Sequence, residues 1–525
     1  MRRSTASGGG LVRSSAAVGV GTALSRITGL IRTVALAYAL GNTLLANSYN
    51  LANTTPNIVY DLILGGVLSA TLVPVFVARF DHDDQAGIDA VVTVVVSLLT
   101  ALTVVAIIGA PWLFRIYTWA AGNDTASLEK AGVPLLRMFL PQVLFYGLTA
   151  LATALLNARR SFAAPAIVPV LNNVLVTGVL VWFARLAGRT PSVDQVVHDT
   201  SLLWLLGAGT TAGIVVMTLA LLPSLRRAGI SWHWRLDLHN PAVRTVARLS
   251  GWTLGYVVAN QIALAIVLAL ATKGSDAAVY LYAFQFFQLP YGLFAVSVMT
   301  TFTPELASAA AANDWPALRD RVAHGLRLVT LVVLPSAVGM GVLARPLIVG
   351  LLGHGAFSGE AGVLTADVLS NFAIGLLGFS VYLFAMRGFY ALHDTKTPFV
   401  INLIENALNV VLGLALVGRY GVQGLAFGYS VAYTVAAVIA LAALRRRVGG
   451  IGGRALADPV LRIAAAASVM GIAVWLASRS IGADSGTGAF TRLAVGVVVG
   501  VAVFGAGLVV LRVDDVRQIA TRLRR

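Results

Sequence analysis

Apolar runs of about 18 or more residues recur along this 525-residue chain, separated only by short punctuation of glycine, proline and charge. About 20 such residues cross a bilayer as a helix, the one open segment whose backbone groups satisfy one another away from water. The runs centre near Ser25, Ile63, Leu102, Tyr146, Leu175, Thr211 and Ala263, then near Ser297, Pro335, Leu377, Leu408, Ser430, Val469 and Val499. The predicted fold class is therefore an all-α polytopic membrane protein with about 14 transmembrane helices. Composition agrees: 58% of residues are hydrophobic and 11% charged, against about 25% charged in soluble domains. Soluble enzymes are excluded.

The net charge of +16 carries less information than its size suggests. Only three of the 38 cations are lysine, and the arginines fall in short clusters between apolar runs, which excludes nucleic acid as a partner. With an even number of spans and the N-terminus inside, Arg2, Arg3, Arg13, Arg159, Arg160, Arg226, Arg227, Arg235, Arg244, Arg248, Arg445, Arg446, Arg447, Arg454 and the tail arginines all share one side. The opposite loops hold only scattered cations such as Lys130, Arg185, Arg189 and Lys273. The positive-inside rule then places both termini in the cytoplasm. The acidic loop from Arg79 to Asp89 is an exception that the rule tolerates, because carboxylates count little in it. Arg26 and Arg32 interrupt the first run, which argues against a cleaved signal peptide.

The chain repeats itself. Leu156-Asn157-Ala158-Arg159-Arg160-Ser161 and the following Pro165 return in outline as Phe389-Tyr390-Ala391 through Lys396-Thr397-Pro398, 233 positions later. Pro111 pairs with Pro346 and Pro74 with Pro304 at nearly the same spacing. Six spans separate equivalent points, so the halves are parallel repeats of one orientation. The expected organisation is a cytoplasmic segment over 1–13, an N-lobe of six spans over 14–228, a C-lobe of six spans over 229–447, and two unpaired spans with a basic cytoplasmic tail over 448–525. Two lobes meeting at a polar seam describe a transporter working by alternating access better than a channel, receptor or membrane enzyme.

Polar residues inside the spans are the candidates for function. Arg26 and Arg32 each cost about 2.5–3.5 kcal/mol at a helix centre, and six residues put them about 9 Å apart along the axis and about 120° apart around it. Such a pair binds an anion, or else pairs with Asp61 or a helix carbonyl, or snorkels. Asn50, Asn53 and Asn57 share one face of the second span by their i, i+3, i+7 spacing, and line a polar cavity or glue helices together. Asp61, one turn further, neutralises an arginine or faces substrate. Gln285 and Gln288 precede Pro290 in the repeat-equivalent eighth span, with the same two readings. Asn172, Asn173, Glu405, Asn406 and Asn409 follow the repeated prolines, where hydrogen bonding between helices is the expectation. Asp394 and Lys396 lie in the cytoplasmic turn after the tenth span and are read as gate or loop residues.

No constellation for catalysis is present. Cysteine is absent, which removes disulfides and thiolate chemistry. The seven histidines, His82, His198, His233, His239 and His354 among them, lack metal-ligand spacing, and there is no glycine loop for ATP. The expectation is no enzyme, no metal and no cofactor, with energy drawn from an ion gradient, the membrane potential or the substrate gradient.

Several motifs resemble the MurJ/MviN family of lipid II flippases, within the larger multidrug, oligosaccharidyl-lipid and polysaccharide exporter superfamily. They are Ser25-Arg26-Ile27-Thr28-Gly29-Leu30-Ile31-Arg32, Pro56-Asn57 with Phe76-Val77-Ala78, Leu140-Pro141-Gln142, and Leu155-Leu156-Asn157-Ala158-Arg159. The most specific is Gly388-Phe389-Tyr390, followed by Asp394, Lys396, Thr397 and Pro398. The resemblance covers about residues 12 to 445. It implies that Arg26 and Arg32 contact the pyrophosphate of an undecaprenyl-linked disaccharide-pentapeptide, with no bond made or broken. It also implies a lipid-tail groove at the two last spans, and membrane lipids and cell-wall synthesis proteins as further partners. The family's acidic residue at the start of the second helix falls on Asn47, its second-helix arginine near Tyr60 or Asp61, and its eighth-helix arginine and glutamate on Gln285 and Gln288. Only the first-helix pair, and loosely the Lys396 turn, match residue by residue. Two other readings are an exporter of another polyprenyl-linked saccharide or drug/cation antiporter of the same superfamily, and a non-transporting scaffold in cell-wall assembly.

Overall fold

Glycine, a left-handed residue or a helix-capping aspartate closes nearly every turn in this chain, and between those turns the apolar sequence runs on as helix. The computed structural model describes residues 8–60, 72–357, 359–481 and 486–513. Among them there is no strand. In chain order the helices are α1 (Gly8–Leu40), α2 (Leu44–Tyr60), α3 (Val73–Asp81), α4 (Gln85–Ile108), α5 (Ala110–Thr118), α6 (Thr125–Phe139), α7 (Gln142–Ala158), α8 (Ala163–Ala187), α9 (Val193–His198), α10 (Thr200–Leu219), α11 (Leu222–Arg227) and α12 (Pro241–Ala271). They continue as α13 (Ala277–Pro290), α14 (Val296–Ala311), α15 (Trp315–Leu352), α16 (Gly359–Ala391), α17 (Lys396–Val448), α18 (Arg454–Arg479) and α19 (Gly486–Val510).

Twelve helical segments among the described residues are long and apolar enough to cross a membrane. The longest, α17, has 53 residues and breaks at Gly421, so it carries both the eleventh and the twelfth expected span. The expected second span falls on α2 and α3, with 61–71 outside the described residues. Fourteen spans are consistent with this count. α13 passes through Pro290 into one turn of wider helix at Tyr291–Ala295 before α14. Proline removes an amide donor and a widened turn absorbs the mismatch.

The chain divides into two compact units, Met1–Ser275 and Asp276–Arg525. In the first, α1 lies along α8, α8 along α10, and α2 along α6. α12 packs on α4 and α5, so the seventh span joins the first unit in packing although the repeat expected from sequence assigns it to the second half. Near the end of α7, Ala152, Leu156, Val168, Ile214, Met217 and Leu221 close a core between α7, α8 and α10.

In the second unit α16 lies between α15 and α17. Gly375 and Gly378 leave no room for a Cβ against Ser430 and Thr434, which brings the α16 and α17 backbones together, and the Ser430 hydroxyl donates to the Asn371 carbonyl at 2.6 Å. Small residues at such contacts let van der Waals packing replace the hydrophobic drive that lipid does not supply. α18 and α19 dock on α15 through Leu331, Ile463, Ala466 and Leu508, and through Leu343, Met470 and Val474.

The repeat is written in the turns. Left-handed residues occur at Gly41 and Ser275, Asp83 and Asn313, Gly122 and Gly355, Arg160 and His393, and Gly188 and Gly421, with separations of 234, 230, 233, 233 and 233 positions. Hydrogen bonds follow the same register. Asp84 N donates to Arg79 O at 2.9 Å and Asp314 N to Ala309 O at 3.0 Å, while Ser161 N donates to Leu156 O at 2.8 Å and Asp394 N to Phe389 O at 3.0 Å. The carboxylates of Asp84 and Asp314 cap α4 and α15 in the same way, accepting from Gly87 N at 2.8 Å and Ala317 N at 3.0 Å. Of the proline anchors, Pro74 and Pro111 start α3 and α5, whereas Pro304 and Pro346 lie inside α14 and α15.

Candidate functional site

α1 is a 33-residue helix whose sequence places two guanidinium groups within a spanning segment. Arg26 and Arg32 are both half-buried, and neither has an ion-pair or hydrogen-bond partner among the described residues. Arg32 lies within electrostatic range of the hydroxyls of Tyr49 on α2 and Tyr146 on α7. Tyr49 is fixed by a 2.9 Å hydroxyl contact to Thr210 and an edge-on contact with Phe139. Tyr146 is held by the Asn57 side chain and by the Tyr60 ring, 6.0 Å away. The first unit thus gathers Arg32, Asn57, Tyr60 and Tyr146 from α1, α2 and α7 into one polar group. Arg26 stands six residues earlier on α1, next to the point where Asn173 of α8 donates to Ser25 O and Thr28 Oγ1, both at 3.1 Å. Asn173 therefore does bond between helices, as expected.

The three amides of the second span do not act alike. Asn50 is 7% exposed and its Nδ2 donates to Ala46 O of its own helix at 2.8 Å. Asn53 is half-buried without a partner among the described residues, and Asn57 is exposed and reaches Tyr146. Asp61 lies outside the described residues. Asn47 is fully buried and donates to Thr43 O at 3.1 Å and to Ser275 O, and Ser275 Oγ bonds the Asp124 carboxylate. It ties the α1–α2 turn to the end of α12 and supplies no charge.

In the second unit Gln285 and Gln288 are half-buried on α13, with no hydrogen-bond partner among the described residues. Around them the sequence builds an aromatic core. Phe287 sits 5.3 Å from Phe372 and 5.5 Å from Phe379, Tyr291 is 4.8 Å from Phe379, and Tyr429 is 4.5 Å from Tyr433. Glu405 is 1% exposed, and neither carboxylate oxygen has a hydrogen-bond partner among the described residues. The hydroxyls of Tyr280 and Tyr429 lie within its electrostatic range. Asn406 donates to Asn402 O of its own helix at 2.9 Å. Bonding between helices, expected of the whole group, therefore accounts for Asn173 and does not account for Glu405. The aromatic core and the tyrosines at Arg32 are what the sequence pattern did not single out. Their one signal was aromatic residues three and four apart on α13.

The turn before α17 is a capped helix start. Asp394 Oδ1 accepts from Thr397 N at 3.0 Å and Oδ2 from the Thr397 hydroxyl at 2.8 Å. Partial burial pushes this carboxyl up, but the two Thr397 bonds and the nearby Arg447 outweigh it and hold it below the usual carboxylate range. Lys396 is exposed at the first turn. Asp394 thus closes the turn onto α17, and Lys396 stands exposed beside it. No group of three or more histidines and carboxylates among the described residues could hold a metal ion.

Similarity to known proteins bears on the family and the fold. Residues 36–496 match the family model described as lipid II flippase MurJ. The lipid II flippase MurJ of Burkholderia cenocepacia is 30% identical over 440 residues, covering 81% of this chain and 82% of that protein. A probable lipid II flippase MurJ of Vibrio cholerae is 28% identical over 83% of this chain and 82% of its own length. Among solved structures, a lipid II flippase MurJ in an inward closed conformation superposes with a TM-score of 0.77 at 21% identity, covering 94% of this chain and 98% of that one. An inward-facing multidrug transporter of the MATE family superposes with a TM-score of 0.67 at 14% identity, covering 82% of this chain and 96% of that one. The family model spans most of the chain, and the chain belongs to the lipid II flippase MurJ family.

Proposed function

We propose that the chain moves lipid II, the undecaprenyl-pyrophosphate-linked peptidoglycan precursor, from the cytoplasmic to the outer leaflet by alternating access. The observation that carries this is Arg32, a guanidinium inside a spanning helix with no acidic partner among the described residues, set beside Tyr146 and Asn57. An arginine left unpaired in a membrane calls for an anion, and pyrophosphate takes its planar fork in charge-assisted hydrogen bonds. Arg26 contributes the second cation. Asn53 and Asn57 offer amides to the sugar-peptide head, and Gln285 and Gln288 offer the same chemistry on α13. Asn50 serves the helix rather than the substrate. Asp61, Asp394 and Lys396 shape gates and turns, and the isoprenoid stays in lipid, along a groove at α18 and α19.

No bond is made or broken. With the inside negative, moving two negative charges outward gains about 4–5 kcal/mol per 100 mV, from about 2.3 per charge. The protein lies in the bacterial plasma membrane with both termini cytoplasmic, in the company of cell-wall synthesis proteins, and its repeats run over 14–228 and 229–447. The test is depletion in the native host with lipid II probed on the outer leaflet, followed by rescue with Arg26→Ala and Arg32→Ala. Undiminished display without the protein and without another flippase overturns the proposal, and normal rescue by both variants assigns the chain to the scaffold reading.

A further inference from the structure

The segment joining α11 to α12 holds a feature that translocation does not use. Residues 230–237 form neither helix nor turn, yet they are pinned to α4. His233 N donates to Asp89 Oδ1 at 3.2 Å, Arg235 N to Thr93 Oγ1 at 3.0 Å, and Gln85 Nε2 to Ser231 O at 2.9 Å. Alternate amides pointing into one helix mean an extended chain. Two extended residues advance about 6.6 Å, which matches the roughly 6 Å between residues four apart on a helix.

In that geometry successive side chains alternate sides. Trp232, Trp234 and Leu236 share one face and are 44%, 64% and 62% exposed, the two indoles lie 5.8 Å apart, and Trp232 Nε1 donates back to Thr93 Oγ1 at 3.1 Å; Leu238, 60% exposed, follows in the turn before α12. His233, Arg235 and Asp237 take the other face, His233 reaching Asp89 at 3.4 Å. Four large apolar side chains so exposed are a costly surface to leave in water.

Depth identifies what covers them. α4 ends at Ile108, and about 20 residues cross the hydrocarbon, so the boundary falls near Asp89, where the strap is bonded. Tryptophan is the residue most at home at that level. At either end, exposed Arg226, Arg227 and Arg244 have no acidic partner among the described residues, while Arg235 lies in the field of Asp84. We infer that residues 230–238 are an interfacial anchor. Their even-numbered side chains insert at the headgroup boundary of an anionic lipid surface, and their backbone clamps the start of α4 to that level.

Because the chain has no cysteine, single reporters can be placed freely. Trp234→Cys, Arg235→Cys, Leu236→Cys, Asp237→Cys and Leu238→Cys would each carry a nitroxide in the full-length protein. The protein would be reconstituted in vesicles of phosphatidylethanolamine and phosphatidylglycerol, with collisions measured against oxygen and against a water-soluble nickel chelate. The expected result is a period of two: oxygen dominates several-fold at 234, 236 and 238, and nickel at 235 and 237. The alternation weakens in phosphatidylcholine vesicles. Uniform nickel access overturns the anchor, as does shielding of the even positions from both reagents, which indicates a protein occupant such as a second copy. Unchanged alternation in phosphatidylcholine overturns the requirement for anionic lipid.

Discussion

The two repeats share a backbone skeleton and differ in what they hang on it. With Pro56 set against Pro290, Asn50, Asn53 and Asn57 of the first repeat stand where the second has Phe284, Phe287 and Tyr291. Where the first repeat offers amides beside an unpaired arginine, the second fills the same helix face with rings packed on Phe372, Phe379 and Tyr429. Left-handed turn positions and capping bonds recur all the same, because turn geometry is set by local backbone rules. At these three positions one repeat presents amides and the other a packed set of rings.

The largest expected effect tests the rigid half. Phe287→Ala removes a fully buried ring from the aromatic core and should cost about 3–5 kcal/mol in thermal or denaturant unfolding. Asn53→Ala, on the matching face of the first repeat, should leave stability within about 0.5 kcal/mol while slowing translocation. Equal stability losses would erase the contrast. Next, Arg32→Ala should lose a charged hydrogen bond of about 1.5–3 kcal/mol, seen as roughly 10- to 150-fold weaker lipid II binding in a titration of the purified protein. In the register that sets Pro56 against Pro290, Arg32 corresponds to the half-buried Ile266 of α12. Ile266→Ala should leave lipid II binding unchanged in the same titration.

Gly188 (φ 84°, ψ −171°) and Gly421 (φ 54°, ψ −142°) occupy backbone space that is nearly reserved for glycine. Alanine at either should cost about 1–3 kcal/mol, and similar losses in melting experiments would support equivalent turns. The smallest effect separates the turns before α8 and α17. Asp394→Ala should cost about 0.5–2 kcal/mol at neutral pH, whereas Ser161, at the matching position before α8, makes no side-chain bond to that helix among the described residues. A carboxyl held low in the folded chain stabilises fully above its unfolded value and loses that contribution as pH falls through the folded one. The gap between the native chain and Asp394→Ala in melts should therefore close below about pH 4.

Much of the fold was legible because lipid imposes a length rule and the repeat imposes a register. The spans, the turn at Gly388–Pro398 and the two intramembrane arginines follow from those alone. Three things did not. Periodicity put Asn50, Asn53 and Asn57 on one face, but a short amide can turn back onto its own helix carbonyl, as Asn50 does, and spacing is blind to rotamer. The packing of α12 with α4 and α5 depends on contacts far apart in sequence, which a repeat offset cannot report. The company of Arg32 was hidden because tyrosines inside apolar runs read as filler until their hydroxyls are placed.

The recurring turns also bear on how such a chain is made. Several close with bonds spanning five residues or fewer, such as Ser161 to Leu156 and Asp394 to Phe389. A helical hairpin therefore needs nothing from later sequence to set its bend, and short-range closure is the fast kind. During synthesis the helices can enter the bilayer in pairs, each bend fixed before the next pair emerges. A lesion at one such turn, Asp394→Ala for instance, should then stall its own hairpin and leave those already inserted intact.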